Sequence, residues 1–126
     1  LYSFSKKKHR YRFELRVKGK NLSALLKKKY EPYLNKLSFV KIDTEGYDRD
    51  VIDSMGDILK KYQPVVVAEV LKKLYFEERL SLLELVHSLG YSTYKTDARF
   101  IKKEDEITKD NLMKWDQYDI LCLPQS

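Results

Sequence analysis

The residues predict an α/β domain whose largely parallel sheet carries helices on its faces. Two short, mostly apolar stretches at residues 37–43 and 64–70 read as strands covered on both sides. Between and after them, apolar residues recur at helical spacing, so strands alternate with helices. Three consecutive valines, Val65, Val66 and Val67, mark the second stretch as a buried parallel strand.

The elements follow in order. Residues 1–9, with Lys6, Lys7, Lys8 and His9, read as a loop or basic arm. Residues 11–17 alternate apolar and charged side chains, the period of a half-buried strand, and Gly19 ends it. Asn21 is placed to cap a helix with Leu22, Leu25 and Leu26 on its apolar face, stopping before Pro32. After the strand at 37–43, Thr44-Glu45-Gly46 breaks the chain. Val51, Ile52, Met55, Ile58, Leu59 and Tyr62 then predict one amphipathic helix over 48–62. Phe76, Leu80, Leu83, Val86 and Leu89 predict another, closed by Gly90. Residues 91–95 form a short strand. The polar stretch 97–116 is a loop with a short helix around 109–114, and 118–123 is the last strand.

The length, 126 residues, suits a single domain over 1–126. A charged fraction of 35% is high, but the 43% apolar residues fall in blocks, which argues for a folded core rather than disorder. The net charge of +6 is unevenly placed: residues 1–36 hold 12 Lys and Arg against 2 acidic residues, and the remainder is net acidic. The basic excess is therefore a property of the N-terminal part. It reads as a solvated arm, or as attraction to phosphates on a partner. No apolar run reaches the roughly 18 residues a membrane span needs, so no membrane is expected. A cytoplasmic location is expected, and nucleic acid is not an expected partner. The chain opens on Leu1 rather than Met, which reads as a piece of a longer chain.

In open α/β sheets, ligands bind beyond the carboxyl ends of the strands. Two strands here end in carboxylates: one in Asp43-Thr44-Glu45-Gly46, the other in Glu69. If the strands are parallel neighbours, Asp43, Glu45 and Glu69 converge on one rim. There they can take a proton from a hydroxyl, accept hydrogen bonds from a ribose or an amine, or hold a hard cation. Asp43 and Glu45 can equally serve the turn and the positive end of the next helix. Gly46 allows a tight exit with positive φ. His9 and His87 have no Cys or carboxylate neighbours at metal-ligand spacing, so no metal site is expected. Cys122, inside Ile120-Leu121-Cys122-Leu123, reads as a buried small hydrophobe. Gly19, Gly46, Gly56 and Gly90 stand too far apart for a glycine-rich phosphate loop.

Phe39-Val40-Lys41-Ile42-Asp43-Thr44-Glu45-Gly46-Tyr47-Asp48, followed by Val51-Ile52, resembles the signature of the FkbM methyltransferase family. Gln63-Pro64-Val65-Val66-Val67-Ala68-Glu69-Val70 is similar to that family's Pro-led strand ending in Glu. Asn21-Leu22-Ser23-Ala24-Leu25-Leu26 resembles the segment upstream, and residues 118–124 its terminal strand. The resemblance covers roughly residues 16–126. It implies the second half of a class I, Rossmann-like sheet, mostly parallel, with an antiparallel pair at the C-terminal edge. It also implies S-adenosylmethionine-dependent methyl transfer, commonly to an oxygen on a sugar or natural product. Carried over, Asp43 and Glu45 are the catalytic candidates, Asp43 and Gly46 lie by the cofactor, and Glu69 binds the small-molecule or glycan acceptor.

The family's glycine-rich cofactor loop and first three strands do not fit into residues 1–36. The chain alone is thus expected to bind S-adenosylmethionine poorly and to be inactive. The strand from Leu37 would lack a neighbour, which predicts homo-oligomers through the exposed edge or repair of that edge by residues 11–17. Two other readings stand beside this one. The first is a non-catalytic α/β interaction module whose basic N-terminal arm binds an acidic partner. The second is a receiver-like or nuclease-like domain using Asp43 and Glu45 on a metal.

Overall fold

The structure, a computed structural model, describes residues 2–6, 12–15 and 22–125. Among them run strands β1 (Tyr2–Lys6) and β2 (Arg12–Leu15), helix α1 (Leu22–Tyr30), a 3-10 helix (Glu31–Lys36) and strand β3 (Leu37–Ile42). Helices α2 (Asp48–Ser54) and α3 (Gly56–Tyr62) follow, then β4 (Val65–Val70), α4 (Phe76–Ser88), β5 (Tyr91–Thr96) and β6 (Tyr118–Pro124). The Asn21 cap, Gly19, Lys7, Lys8 and His9 lie outside the described residues.

The fold is α/β, built on one sheet in the order β2-β1-β3-β4-β6-β5. The expectation of a mostly parallel sheet is corrected. Only β3 and β4 pair in parallel; β1–β2, β1–β3, β4–β6 and β5–β6 are antiparallel. Two features cause this. The N-terminal residues form an antiparallel pair on the outer edge of β3, and β6 inserts between β4 and β5. The expected antiparallel pair at the C-terminal edge is present as β5 and β6.

Residues 1–9 are not simply a loop, since Tyr2–Lys6 is a strand. Its Tyr-Ser-Phe-Ser-Lys alternation was obscured by the lysine run that follows it. The neighbour of β3 is therefore β1, with Phe4 opposite Val40, and residues 12–15 pair one strand further out. At the opposite end, the outer side of β5 is bonded by residues of the charged connection: Lys95 N–H donates to the Asp105 carbonyl at 2.8 Å and Ile107 N–H to the Thr93 carbonyl at 2.8 Å. That connection runs in turns rather than in the short helix expected at 109–114.

The predicted helix over 48–62 is two helices. Met55 leaves helical geometry at φ −114°, ψ 20°. Hydrogen bonds still cross the break, from Met55 N–H to the Val51 carbonyl and from Leu59 N–H to the Met55 carbonyl. The apolar face read from the spacing survives: Val51, Ile52, Met55, Ile58 and Leu59 are all buried. They meet Val40 and Ile42 of β3, Val66, Ala68 and Val70 of β4, and Ile120 and Cys122 of β6 in one core. Because strand side chains alternate, the odd-numbered Lys41, Glu69 and Asp119 face the other way. Cys122 is fully buried, and burial pushes its thiol up to about 12, so it behaves as the hydrophobe its setting predicts.

Candidate functional site

The site forms where β3 and β4 end. Their parallel register sets Lys41 beside Val67, so both strands deliver their following residues to the same rim. Asp43, Glu45 and Glu69 line one open cleft of about 590 Å³ there. Lys72, Lys73 and Gln117 complete its walls. The structure thus brings together the three carboxylates singled out from the sequence.

The exit from β3 is tightly shaped. Glu45 has φ +53° and Gly46 φ +115°, so two successive residues sit in left-handed backbone. For Glu45 that conformation costs about 1 kcal/mol. At Gly46 a Cβ would lie 3.2 Å from Lys73 Cε and 3.4 Å from Leu71 Cδ1. The absence of a side chain thus lets the loop after β4 close over the loop after β3.

Asp48 binds the two loops together, a role the sequence reading did not assign. It is 3% exposed. Its carboxylate accepts from Thr44 N–H at 3.1 Å, from the Thr44 hydroxyl, and from Glu69 N–H at 2.7 Å. Strand β3 stops at Ile42, so the Glu69 amide has no backbone carbonyl on that side and the Asp48 carboxylate takes its place. Burial raises the Asp48 carboxyl above the usual range, and the bonds from Thr44 and Glu69 hold it partly back.

Glu69 is half-buried, and Gln117 Nε2 donates to its Oε1 at 2.8 Å. Its carboxyl is raised, first by burial and then by the negative charge of Asp43, Asp119 and Asp48. Asp43 is first among those charges, and the two side chains line the same cleft. Asp119 lies directly opposite Glu69 in the β4–β6 register. It too is raised, chiefly by burial, while the 3.2 Å bond from Ala98 N–H opposes the shift. Asp119 and Gln117 escaped sequence reading because only the non-local pairing of β4 with β6 brings them to the rim.

A second cavity of about 330 Å³ opens on the helix side, lined in part by Gly46, and shares Glu69 with the cleft. Arg49 Nε donates to Ser81 Oγ there at 2.6 Å. His87 is exposed on α4 and contacts Thr93 Oγ1 at 3.2 Å, away from the carboxylates. Among the described residues, no group of three or more His, Cys, Asp or Glu is arranged to hold a metal ion. Nor is any described helix long and apolar enough to cross a membrane.

The profile of the methyltransferase FkbM domain matches residues 3–93. The chain belongs to the FkbM methyltransferase family. The match takes in β1 to β4, α4 and the start of β5, and hence the whole of the Asp43–Asp48 loop and Glu69. It begins ahead of the residue-16 start of the resemblance read from the sequence and ends before the terminal strand. No curated protein and no solved structure matches the chain.

Proposed function

We propose that this chain supplies the acceptor side of an S-adenosylmethionine-dependent O-methyltransferase. The observation that carries the reading is the convergence of Asp43, Glu45 and Glu69 at the carboxyl ends of two parallel strands, in a member of this family. Strands β3, β4 and β5 run in one direction and β6 lies antiparallel between the last two, which supports a Rossmann-like, class I arrangement for this part of the sheet. The sheet continues unbroken across the described strands, in keeping with a single domain.

The donor set fits the cofactor. S-adenosylmethionine, when bound, supplies a methyl group on a positively charged sulfonium, and an acidic rim suits that charge. Asp43 and the backbone at Gly46 would face it. On the acceptor side, a hydroxyl must be held in line and must lose its proton as the new oxygen–carbon bond forms. Asp43 and Glu69 line the same cleft, so either carboxylate is placed to take that proton. Glu45, exposed on the left-handed turn, offers a polar contact to a sugar or natural-product hydroxyl. Glu69, fixed by Gln117 and by Asp48 through its own amide, orients the acceptor. A cytoplasmic location and association through the outer edge of β2 belong to this proposal.

Isothermal titration of the full-length protein with S-adenosylmethionine tests it. Saturable heat, lost in Asp43→Asn, is expected; no heat at all would sink the reading.

A further inference from the structure

Helix α4 carries a buried arginine that the chemistry above does not use. Arg79 is 2% exposed and has no carboxylate partner among the described residues. Its guanidinium is satisfied instead by backbone carbonyls. Nε donates to Leu74 at 3.0 Å, Nη1 to Leu112 at 2.9 Å and Trp115 at 2.8 Å, and Nη2 to Asp116 at 2.7 Å and Leu71 at 3.3 Å. All five N–H donors of the fork are therefore used. The Tyr118 ring lies 5.6 Å from the guanidinium carbon, within cation–π range.

These carbonyls belong to only two segments. One is the β4–α4 connection, which brings Leu71, Lys72 and Lys73 to the cleft; the other is the turn region just before Gln117. Where they meet, Gln117 accepts from Lys72 N–H at 3.4 Å and donates to Glu69. A buried cation paired only with carbonyls is costly if the need is merely to fill space. The planar fork does what an apolar side chain cannot: it fixes two loops relative to each other by directional bonds.

We infer that Arg79 is a positioning residue, clamping the two loops so that Gln117 holds the Glu69 carboxylate toward the cleft. The inference rests on the reading of that cleft as the acceptor site.

The test is a set of carboxyl-carbon NMR titrations of Glu69 in the full chain. In the otherwise unchanged protein, Gln117→Leu removes a donor to the charged form, so the Glu69 midpoint should rise by about one pH unit. In an Arg79→Met background the same substitution should produce less than about a third of that shift, because Gln117 is no longer held there. Arg79→Lys keeps the charge without the fork and should behave like Arg79→Met, which covers the case where the methionine variant fails to fold. An equal Gln117→Leu shift in all backgrounds, or no shift in any, would overturn the clamp. A purely structural Arg79 would lower thermal stability and leave the Gln117→Leu shift intact. Glu69 titrates whether or not S-adenosylmethionine binds. The clamp and the methyltransferase reading therefore fail separately, one by NMR and the other by calorimetry.

Discussion

The Asp48 carboxylate accepts the backbone N–H of Glu69 at 2.7 Å and ties the end of β4 to the loop that leaves β3. The bond fills the place of a strand partner beyond Ile42, where β3 has stopped. Asp48→Asn exchanges one accepting oxygen for an N–H₂ that must face donors from Thr44 or Glu69. It should cost about 2–3 kcal/mol. Urea unfolding checks this: the midpoint should fall with an unchanged slope.

Two glycines should respond oppositely to alanine. Gly46 has φ +115° and its would-be Cβ meets Lys73 and Leu71, so Gly46→Ala should destabilise by about 1–2 kcal/mol. Gly56 begins α3, and its Cβ would meet only Leu89 at 3.5 Å, an ordinary contact. Gly56→Ala should therefore stabilise by about 0.4–1 kcal/mol. Thermal melts of both variants against the unsubstituted chain check the opposite signs.

The pH dependence of stability should show the carboxyl cluster. Asp48, Glu69 and Asp119 are all raised, chiefly by burial. Each holds its proton to a higher pH in the native state than in the unfolded chain. The native state thus binds more protons in that window, and stability falls as pH rises through it. Asp57 and Asp97 are lowered by Lys27 and Arg99, so their contribution is lost only as pH falls below the ordinary carboxylate range. Denaturation at a series of pH values rising from the ordinary carboxylate range separates the two groups. The unsubstituted chain should lose stability across that span, and a variant carrying Glu69→Gln and Asp119→Asn should show a flatter slope.

The parts of this fold legible in the sequence are those set by local pattern. The valine run predicted β4, the spacing of Val51 to Leu59 predicted the buried face of α2 and α3, and Asp43-Thr44-Glu45-Gly46 predicted the turn with positive φ. The failures were of two kinds. Met55 breaks a helix whose periodicity runs through the break, so apolar spacing alone does not reveal it. Strand pairing is non-local: nothing in Tyr2–Lys6 shows that it will lie against β3, and nothing in Gln117 or Asp119 shows that β6 will carry them to Glu69. Arg79 was hidden for the same reason, since its partners are carbonyls supplied by distant turns.

Carboxyl-carbon NMR of the full-length protein during titration with S-adenosylmethionine tests the central claim most directly. The resonances of Asp43 and Glu69 should move together and saturate, while those of Asp97 and Asp110, outside the cleft, stay in place. Saturable binding that leaves Asp43 and Glu69 unmoved would contradict the account.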